Sequence, residues 1–360
     1  MTMRFRCGAL LTMFVAVVVA SAACAKPNDP QSHFRAGQAA LDKGDIALAI
    51  HELEQVTNTD PNLAEARVLL GRAYEKSNRP DDAISQYRAA QALQSPDPQA
   101  GFRLGALLVA AGKPVEAVVP LAAGVKLNAG MAVSYTQEIS AAVTAGLAAS
   151  SDLVSRDPQQ ATQILEAIAA LDVRNDRSRV LLGNLYVSGG QSQLALEQYK
   201  AALELNPKNT SAITNMGAAY YQMGKLDDAI AQFRLALQQA PDDAETHYLL
   251  GAAFIQQNKV NEAVPEFQAA IKSNPNLAAA YIGLGNTQLL QDDLEGAVTS
   301  LSKAAQLAPS QPEAFYALGK ALMLKGDQAG ARQALLHFLT LNPPANRRAE
   351  VEEWLKQLGQ

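Results

Sequence analysis

The sequence predicts an all-α protein built from stacked helix pairs, and three observations predict it. A glycine recurs every 34 residues with one longer interval, an alanine follows each of these glycines by twelve residues, and a proline closes most of the intervals. A fixed period of this length is typical of an array in which each unit packs on its neighbours. The recurring glycines are Gly37, Gly71, Gly105, Gly183, Gly217, Gly251, Gly285 and Gly319.

Each unit contains two apolar stretches of helical period, separated by a polar turn such as Met223-Gly224-Lys225. We expect the recurring glycine and alanine to lie where the two helices of one unit approach each other closely. Tyrosine, leucine and phenylalanine then fill the space around them. The closing proline ends a unit because it favours an extended residue before it. Pro80, Pro114 and Pro158 fall at the first turn of a second helix, where the missing N–H costs little.

This pattern resembles the tetratricopeptide repeat over about 320 residues. The resemblance implies a right-handed superhelical solenoid of nine helix pairs over residues 32–344, with a capping helix over 345–360. The interval from Gly105 to Gly183 is 78 residues, ten more than two periods. We therefore expect the fourth repeat, 131–175, to be degenerate, with a first helix over about 131–155. The repeats are expected at about 30–62, 64–97, 98–130, 131–175, 176–209, 210–243, 244–277, 278–311 and 312–344.

Two prolines interrupt the pattern. Pro120 and Pro265 fall inside predicted second helices, beyond the first turn, where each removes a backbone hydrogen bond. A bend is expected at each. The resemblance implies that both positions lie on the outer, convex side of the array.

The first 25 residues predict export from the cytoplasm. Arg4 and Arg6 precede an uncharged run at 9–20, which has the length of a signal-peptide core. Ser21-Ala22-Ala23-Cys24 resembles a bacterial lipobox, in which the cysteine becomes the lipidated N-terminus. Two alternatives remain: plain cleavage after Ala25, and an uncleaved anchor. Residues 26–31 form a polar linker. The resemblance implies an outer-membrane lipoprotein facing the periplasm, held in the membrane by the lipid at Cys24; without it, the protein is periplasmic or secreted.

Composition and spacing argue against most site chemistry. The net charge of −5 disfavours a nucleic-acid groove, and the two cysteines, Cys7 and Cys24, leave none for a disulfide or zinc site in the folded body. His51-Glu52 begins a zinc-protease motif whose second histidine is missing. His33 and His247 share one repeat position, where a packing role is expected. We therefore predict no metal, no cofactor, no catalytic residue and no nucleic-acid partner.

Function is then expected to come from surface shape. In the tetratricopeptide family the first helices line a concave groove that holds a peptide or helix, with asparagines that can bind an extended backbone and apolar residues that can hold a helix. The alternative is that many of these side chains are half-buried between neighbouring helices. Projected groove residues in the early repeats are Phe34, Gln38, Val68, Arg72, Glu75, Phe102 and Ala106. Those in the later repeats are Asn184, Asn215, Tyr221, Tyr248, Ile255, Ile282, Asn286, Leu289, Tyr316, Lys320 and Met323. Because Arg72 has no neighbouring cluster of lysine, arginine and asparagine in the sequence, a carboxylate clamp is not expected.

The sequence thus predicts a non-enzymatic scaffold that binds a protein or peptide partner. Its tether places it in the cell envelope, where it assists assembly of a pilus, secretion, polysaccharide-export or outer-membrane biogenesis complex. The alternative is a regulatory or substrate-binding subunit of an enzyme on another chain, such as a glycosyltransferase or protease.

Overall fold

The computed structural model describes residues 29–359. Within this range the regular structure consists of nineteen α-helices and one 3₁₀ helix, without a β-strand. The predicted all-α fold is confirmed. The predicted signal segment, with Cys24, lies outside the described residues. No helix among those described combines the length and the apolar character needed to cross a bilayer.

The chain divides into two compact units, and the boundary falls between Arg174 and Asn175. The first unit contains four helix pairs, in which odd-numbered helices are first and even-numbered helices second. Their bounds are α1 Pro30–Lys43, α2 Ile46–Thr59, α3 Ala64–Lys76, α4 Pro80–Ala92, α5 Pro98–Ala110, α6 Pro114–Leu127, α7 Thr136–Arg156 and α8 Pro158–Leu171. The 3₁₀ helix Ala129–Tyr135 precedes α7.

The second unit contains five helix pairs and a final single helix. Their bounds are α9 Asp176–Ser188, α10 Ser192–Leu205, α11 Thr210–Gln222, α12 Leu226–Gln239, α13 Ala244–Gln256, α14 Val260–Ser273, α15 Ala278–Leu290, α16 Leu294–Leu307, α17 Pro312–Lys325, α18 Gln328–Thr340 and α19 Ala345–Gln357. Within each unit the second helix of a pair packs on the first helix of the next.

The recurring glycine sets how closely the two helices of a pair approach. The large apolar residue sixteen positions later packs against it, so that a Cβ added to Gly217 would lie 2.7 Å from the ring of Phe233. The recurring alanine, such as Ala229, is fully buried beside this contact. A larger residue in place of the glycine would therefore hold the helices apart unless the facing side chain moved. The same contact occurs at Gly37–Leu53, Gly71–Tyr87, Gly105–Leu121, Gly183–Tyr199, Gly251–Phe267, Gly285–Leu301 and Gly319–Leu335.

Acidic and asparagine side chains begin many of the helices. Asp243 accepts a hydrogen bond from the Thr246 backbone N–H at the start of α13, and Asp293 accepts from Gly296 at the start of α16. Each satisfies a backbone donor that has no partner within the helix. These aspartates therefore have a structural role at the starts of their helices.

The fourth pair departs from its predicted bounds. Its first helix begins at Thr136 rather than near residue 131, because 129–135 forms the 3₁₀ helix. Tyr135 ends that helix and stacks on Phe102, with ring centroids 4.7 Å apart and an interplanar angle of 13°. Ala161 and Leu165 occupy the expected core positions of the pair and are fully buried.

Pro120 does not lie on an outer face, contrary to expectation. It is buried in α6, and α6 approaches α5 so closely that a Cβ on Gly101 would lie 2.4 Å from the Pro120 carbonyl oxygen. Gly124 contributes to the same contact, because Phe102 packs on its Cα side. Pro265 is exposed within α14. Both helices continue through their prolines.

The final helix, α19, continues the 34-residue register. Glu350 and Trp354 stand 34 residues after Tyr316 and Lys320, so α19 occupies the place of a further first helix. Val351 is fully buried against Leu335 and Phe338 of the last pair. The helix thus covers the apolar side of α17 and α18.

Candidate functional site

The first helices of the second unit bring most of the predicted groove residues together. Ten of the eleven candidates from the later repeats line three clefts between successive first helices. The polar cleft lies between α9, α11 and the start of α13. The first apolar cleft lies between α13 and α15, and the second apolar cleft between α15, α17 and α19. The eleventh, Met323, packs against the core cluster around α17 instead.

The polar cleft has a volume of about 660 Å³. Asn184 and Asn215, from adjacent first helices, line it together. The side-chain amide of Asn215 donates to Oδ1 of Asn184 over 2.9 Å, and the hydroxyl of Tyr199 donates to the same oxygen over 2.7 Å. Other lining residues are Arg177, Val180, Leu181, Asn209, Thr210, Ser211, Thr214, Ala240, Asp243 and Glu245.

These two hydrogen bonds fix how the asparagines face the cleft. Oδ1 of Asn184 already has two donors, so its amide group is the side that can donate to a ligand. Asn215 uses its amide group internally, so its Oδ1 is the side that can accept. The cleft therefore offers one donor and one acceptor side by side, as an extended backbone would require.

A buried hydroxyl network supports one wall of the polar cleft. The Thr246 hydroxyl donates to Oδ2 of Asp243, so the Thr214 hydroxyl donates to Thr246, at an oxygen–oxygen distance of 2.9 Å. Thr214 occupies the repeat position that Tyr248 has in the next pair. The smaller side chain leaves the space that forms the cleft.

The first apolar cleft has a volume of about 290 Å³. Tyr248 lies beside Phe267, with ring centroids 6.1 Å apart, and burial raises the pKa of its phenol. Gly283 opens the floor, because a Cβ there would lie 2.5 Å from the Phe267 ring. The predicted residues that line this cleft are Tyr221, Tyr248, Ile255, Ile282 and Asn286.

The second apolar cleft has a volume of about 410 Å³. Sequence reasoning missed two of its most exposed apolar residues, Leu290 and Leu324, which are 64% and 57% exposed. They occupy the same repeat position at the ends of α15 and α17. The recurrence of leucine at this position in two repeats is the sequence signal that could have identified them. The predicted residues that line this cleft are Ile282, Asn286, Leu289, Tyr316 and Lys320.

Tyr316 joins the second apolar cleft to α19. Its hydroxyl donates to Oε2 of Glu350 over 2.9 Å, and its ring stacks on Trp354 with centroids 5.4 Å apart. The guanidinium of Arg347 lies 4.8 Å from the same ring centroid and also lines the cleft. Burial, followed by the bond to Glu350, raises the pKa of Tyr316. The sequence did not identify Arg347, because it lies outside the predicted repeats.

The predicted apolar groove residues are half-buried, which is the alternative interpretation given above. Tyr221, Tyr248 and Ile255 pack at the edge of one core cluster, while Ile282 and Leu289 pack at the edge of the next. Each nevertheless contributes atoms to a cleft wall. A position of this kind has both a packing and a lining role.

The first unit places the early candidates differently. Val68 and Phe102 are buried and do not face a groove. Arg72 and Arg103 of the next repeat each act on the Tyr87 hydroxyl, where their positive charges lower its pKa. Arg103 forms an ion pair with Glu75 at 3.2 Å. Glu75 also accepts the Tyr87 hydroxyl, and burial, followed by this bond, raises the pKa of that phenol.

The histidines have structural partners. His33 contacts Glu52 and His247 contacts Glu266, in each case with 2.6 Å between Nδ1 and Oε2. Each of these contacts joins the first helix of a repeat to the second helix of the same repeat. The two contacts occupy the same repeat position. Within 29–359, no group of three or more His, Cys, Asp or Glu side chains is placed to hold a metal ion.

Comparison with known proteins follows the same repeats. A family model described as a tetratricopeptide repeat matches residues 34–98, 68–130, 248–312 and 282–346, which is more than half of the chain. A model described as a TPR repeat matches residues 183–224 and 217–258. No curated protein matches the sequence at a significant level.

Solved structures share the fold at low identity. The pilF structure of Pseudomonas aeruginosa aligns with a TM-score of 0.54 and 18% identity, over 60% of this chain and 98% of its own. MamA aligns with a TM-score of 0.41 and 24% identity, over 47% of this chain and 97% of its own. YrrB, described as a TPR protein with an unusual peptide-binding site, aligns with a TM-score of 0.43 and 20% identity, over 53% and 99%.

Proposed function

The chain belongs to the tetratricopeptide repeat family, and we propose that it is a scaffold that binds an amphipathic helix of a partner protein in the two apolar clefts of its second unit. Proteins built from these repeats bind protein or peptide partners. The observation that carries the proposal is the exposure of Leu290 and Leu324 in the wall of a cleft, at 64% and 57%. Exposed leucines that line one cleft are typical of a surface that a partner covers.

The chemistry of the clefts favours a helix over an extended segment. Apart from Asn286, the predicted residues that line the first apolar cleft are tyrosines and isoleucines. An extended backbone laid on them would leave most of its N–H and C=O groups without partners. A helix satisfies its own backbone groups and offers an apolar stripe that the leucines can cover. Covering the exposed part of each leucine contributes about 1 kcal/mol.

The test compares two pairs of substitutions in the full chain. Leu290→Ser with Leu324→Ser removes the two most exposed leucines of the clefts. The matched control, Leu205→Ser with Leu235→Ser, removes leucines of about 40% exposure from second helices of the same unit. Affinity capture from a cell-envelope extract, with quantitative mass spectrometry, should show a partner that the first pair loses and the control retains. Equal recovery by both variants would contradict the proposal.

The identity of the captured protein also separates the two functional classes. A component of a pilus, secretion, polysaccharide-export or outer-membrane assembly would support a role in envelope assembly. A glycosyltransferase or protease whose activity changes on binding would instead support a regulatory subunit.

The circular-dichroism spectra of both variants should equal that of the unmodified protein, because the substituted leucines are exposed.

We further propose that Cys24 carries a lipid that tethers the scaffold to the outer membrane on its periplasmic side. Support comes from the sequence, in which Arg4 and Arg6, the uncharged run and Ser21-Ala22-Ala23-Cys24 follow the order of a lipoprotein signal. Cys24→Ser should move the protein from the membrane to the soluble fraction. An unchanged distribution would instead support plain cleavage or an uncleaved anchor.

A further inference from the structure

We infer that the helix bound in the second apolar cleft carries an acidic side chain beside its apolar stripe, which pairs with Lys320. This inference rests on the proposed function and specifies its partner. The reason is that Lys320 is the exposed cation in the middle of this apolar wall, on α17, one turn from Tyr316 and one turn from Leu324. Leu289 and Leu290 line the same cleft from the neighbouring helix.

Lys320 has no internal carboxylate partner. Among residues 29–359, no ion pair involves its ammonium group, whereas other exposed lysines such as Lys325 and Lys356 pair with glutamates at 2.7 Å and 3.3 Å. The ammonium group of Lys320 is therefore available to a carboxylate of a bound partner.

The other charges of the cleft do not replace such a partner. Glu313 stands seven residues earlier on α17, about 10 Å along the helix axis, which is close to one Debye length at physiological salt. Arg347 adds a second positive charge and lies over the Tyr316 ring. Glu350 accepts the Tyr316 hydroxyl. The charged residues that line the cleft itself are thus two cations, Lys320 and Arg347, and one anion, Glu313.

A helix that covers Leu289, Leu290 and Leu324 also removes water from Lys320. Burying an ammonium group without a counter-charge is unfavourable, while a carboxylate within reach offsets that cost. A lysine side chain can also extend its amine beyond the rim of a binding partner. In that case the charge of the partner would not matter, and this is the outcome that the experiment must distinguish.

The experiment uses two fluorescein-labelled, sixteen-residue helical peptides with the same leucine stripe. One carries glutamates and the other carries lysines beside the stripe. Fluorescence anisotropy at low salt should show that the unmodified full chain binds the glutamate peptide about fivefold more tightly. Lys320→Glu should reverse this order, and Lys320→Met should bind both peptides with similar affinity. The preference should weaken as salt is added.

The matched control is Lys303→Glu, which makes the same change in net charge on the exposed face of second helix α16. It should leave the preference of the unmodified chain intact. A preference that Lys320→Glu does not alter, or that Lys303→Glu alters equally, would overturn the inference. Binding that depends on the leucines but not on peptide charge would overturn it while leaving the proposed function standing.

Two other outcomes overturn the proposed function together with the inference. One is that neither peptide binds more tightly than a peptide with serines in place of the leucines. The other is that sedimentation shows a dimer of this chain that Leu290→Ser dissociates, since a second copy would then be the occupant of the cleft.

Discussion

The hydroxyl of Tyr199 donates a hydrogen bond to Oδ1 of Asn184 over 2.7 Å, which links the packing of one helix pair to the chemistry of the polar cleft. The ring of Tyr199 is buried against Gly183, so its hydroxyl has a fixed position. Asn184 is thereby oriented with its amide group available to a ligand, and Asn215 takes the complementary orientation.

Tyr199→Phe should lower the free energy of unfolding by about 1 kcal/mol, because Asn184 loses one of its two donors while the ring remains in place. Chemical denaturation would measure this loss. A double-mutant cycle with Asn184→Ala provides the control, since the effect of Tyr199→Phe should shrink once the acceptor is absent. Strictly additive effects would show that the hydrogen bond contributes nothing.

Gly101→Ala should destabilise the first unit more than Gly217→Ala destabilises the second. A Cβ at residue 101 would meet backbone atoms of α6 at 2.4 and 2.7 Å, which can move only with the helix. A Cβ at residue 217 would meet the Phe233 ring at 2.7 Å, and a ring can rotate. Overpacking of this kind costs about 1–3 kcal/mol, and we expect the two glycines at opposite ends of that range.

Gly189→Ala is the control for both substitutions. Its φ of −84° is open to any residue, and the nearest atom to an added Cβ is 3.5 Å away. Thermal unfolding should therefore leave this variant close to the unmodified protein. A reversed order of Gly101→Ala and Gly217→Ala would show that α6 moves more easily than the Phe233 ring.

Alkaline pH should destabilise the first unit through Tyr74. Burial, followed by the hydrogen bond that its hydroxyl donates to Glu54 over 2.6 Å, raises the pKa of Tyr74 from 10.0 to about 12. Because the folded pKa lies above the unfolded one, this contribution to stability is complete below pH 10 and is lost as the pH rises towards 12. Tyr74→Phe should lower stability at neutral pH and flatten the decline between these limits.

Urea denaturation of both proteins at several pH values measures that difference. Comparing the two proteins removes the titration of other tyrosines, such as Tyr87 and Tyr199, from the result. Parallel stability curves for the two proteins would mean that the Tyr74–Glu54 bond does not couple to folding.

Acid should destabilise the second unit through Asp176. Burial alone would raise the pKa of its carboxyl group, but hydrogen bonds from the amides of Asn206 and Asn209 outweigh burial and lower it below 3.8. The stabilisation is therefore present above pH 3.8 and is lost as the pH falls through the lowered pKa. Asp176→Asn should be less stable than the unmodified protein at pH 7, and the gap should close in acid. A gap that persists at low pH would assign the effect to altered packing.

The sequence predicted the repeats well because their cause is local. Gly217 and Ala229 are small where α11 and α12 meet. Every regular repeat requires small residues at these two positions, with the same spacing. Phe233 shows the same dependence from the other side, since it fills the space that Gly217 leaves. A requirement for small and large side chains at a fixed spacing can therefore be recognised in a single sequence.

Features that depart from the common repeat pattern were harder to predict. Pro120 faces inward because Gly101 and Gly124 let α5 and α6 approach, and this pair of glycines occurs in the third repeat but not at the same positions of the regular repeats. The 3₁₀ helix before α7 reflects the stacking of Tyr135 on Phe102, which needs the folded neighbour. The roles of Leu290, Leu324 and Arg347 likewise follow from the helices beside them.

One repeat position sets the character of each cleft in the second unit. It holds Val180, Thr214, Tyr248, Ile282 and Tyr316 in successive pairs, with the two smaller side chains in the polar cleft and the three larger ones in the apolar clefts. The residue at this position of each repeat thus changes the lining of a cleft, while the helical framework stays the same. Exchanging Thr214 and Tyr248 would then exchange the polar and apolar linings of the two clefts while the fold stays the same.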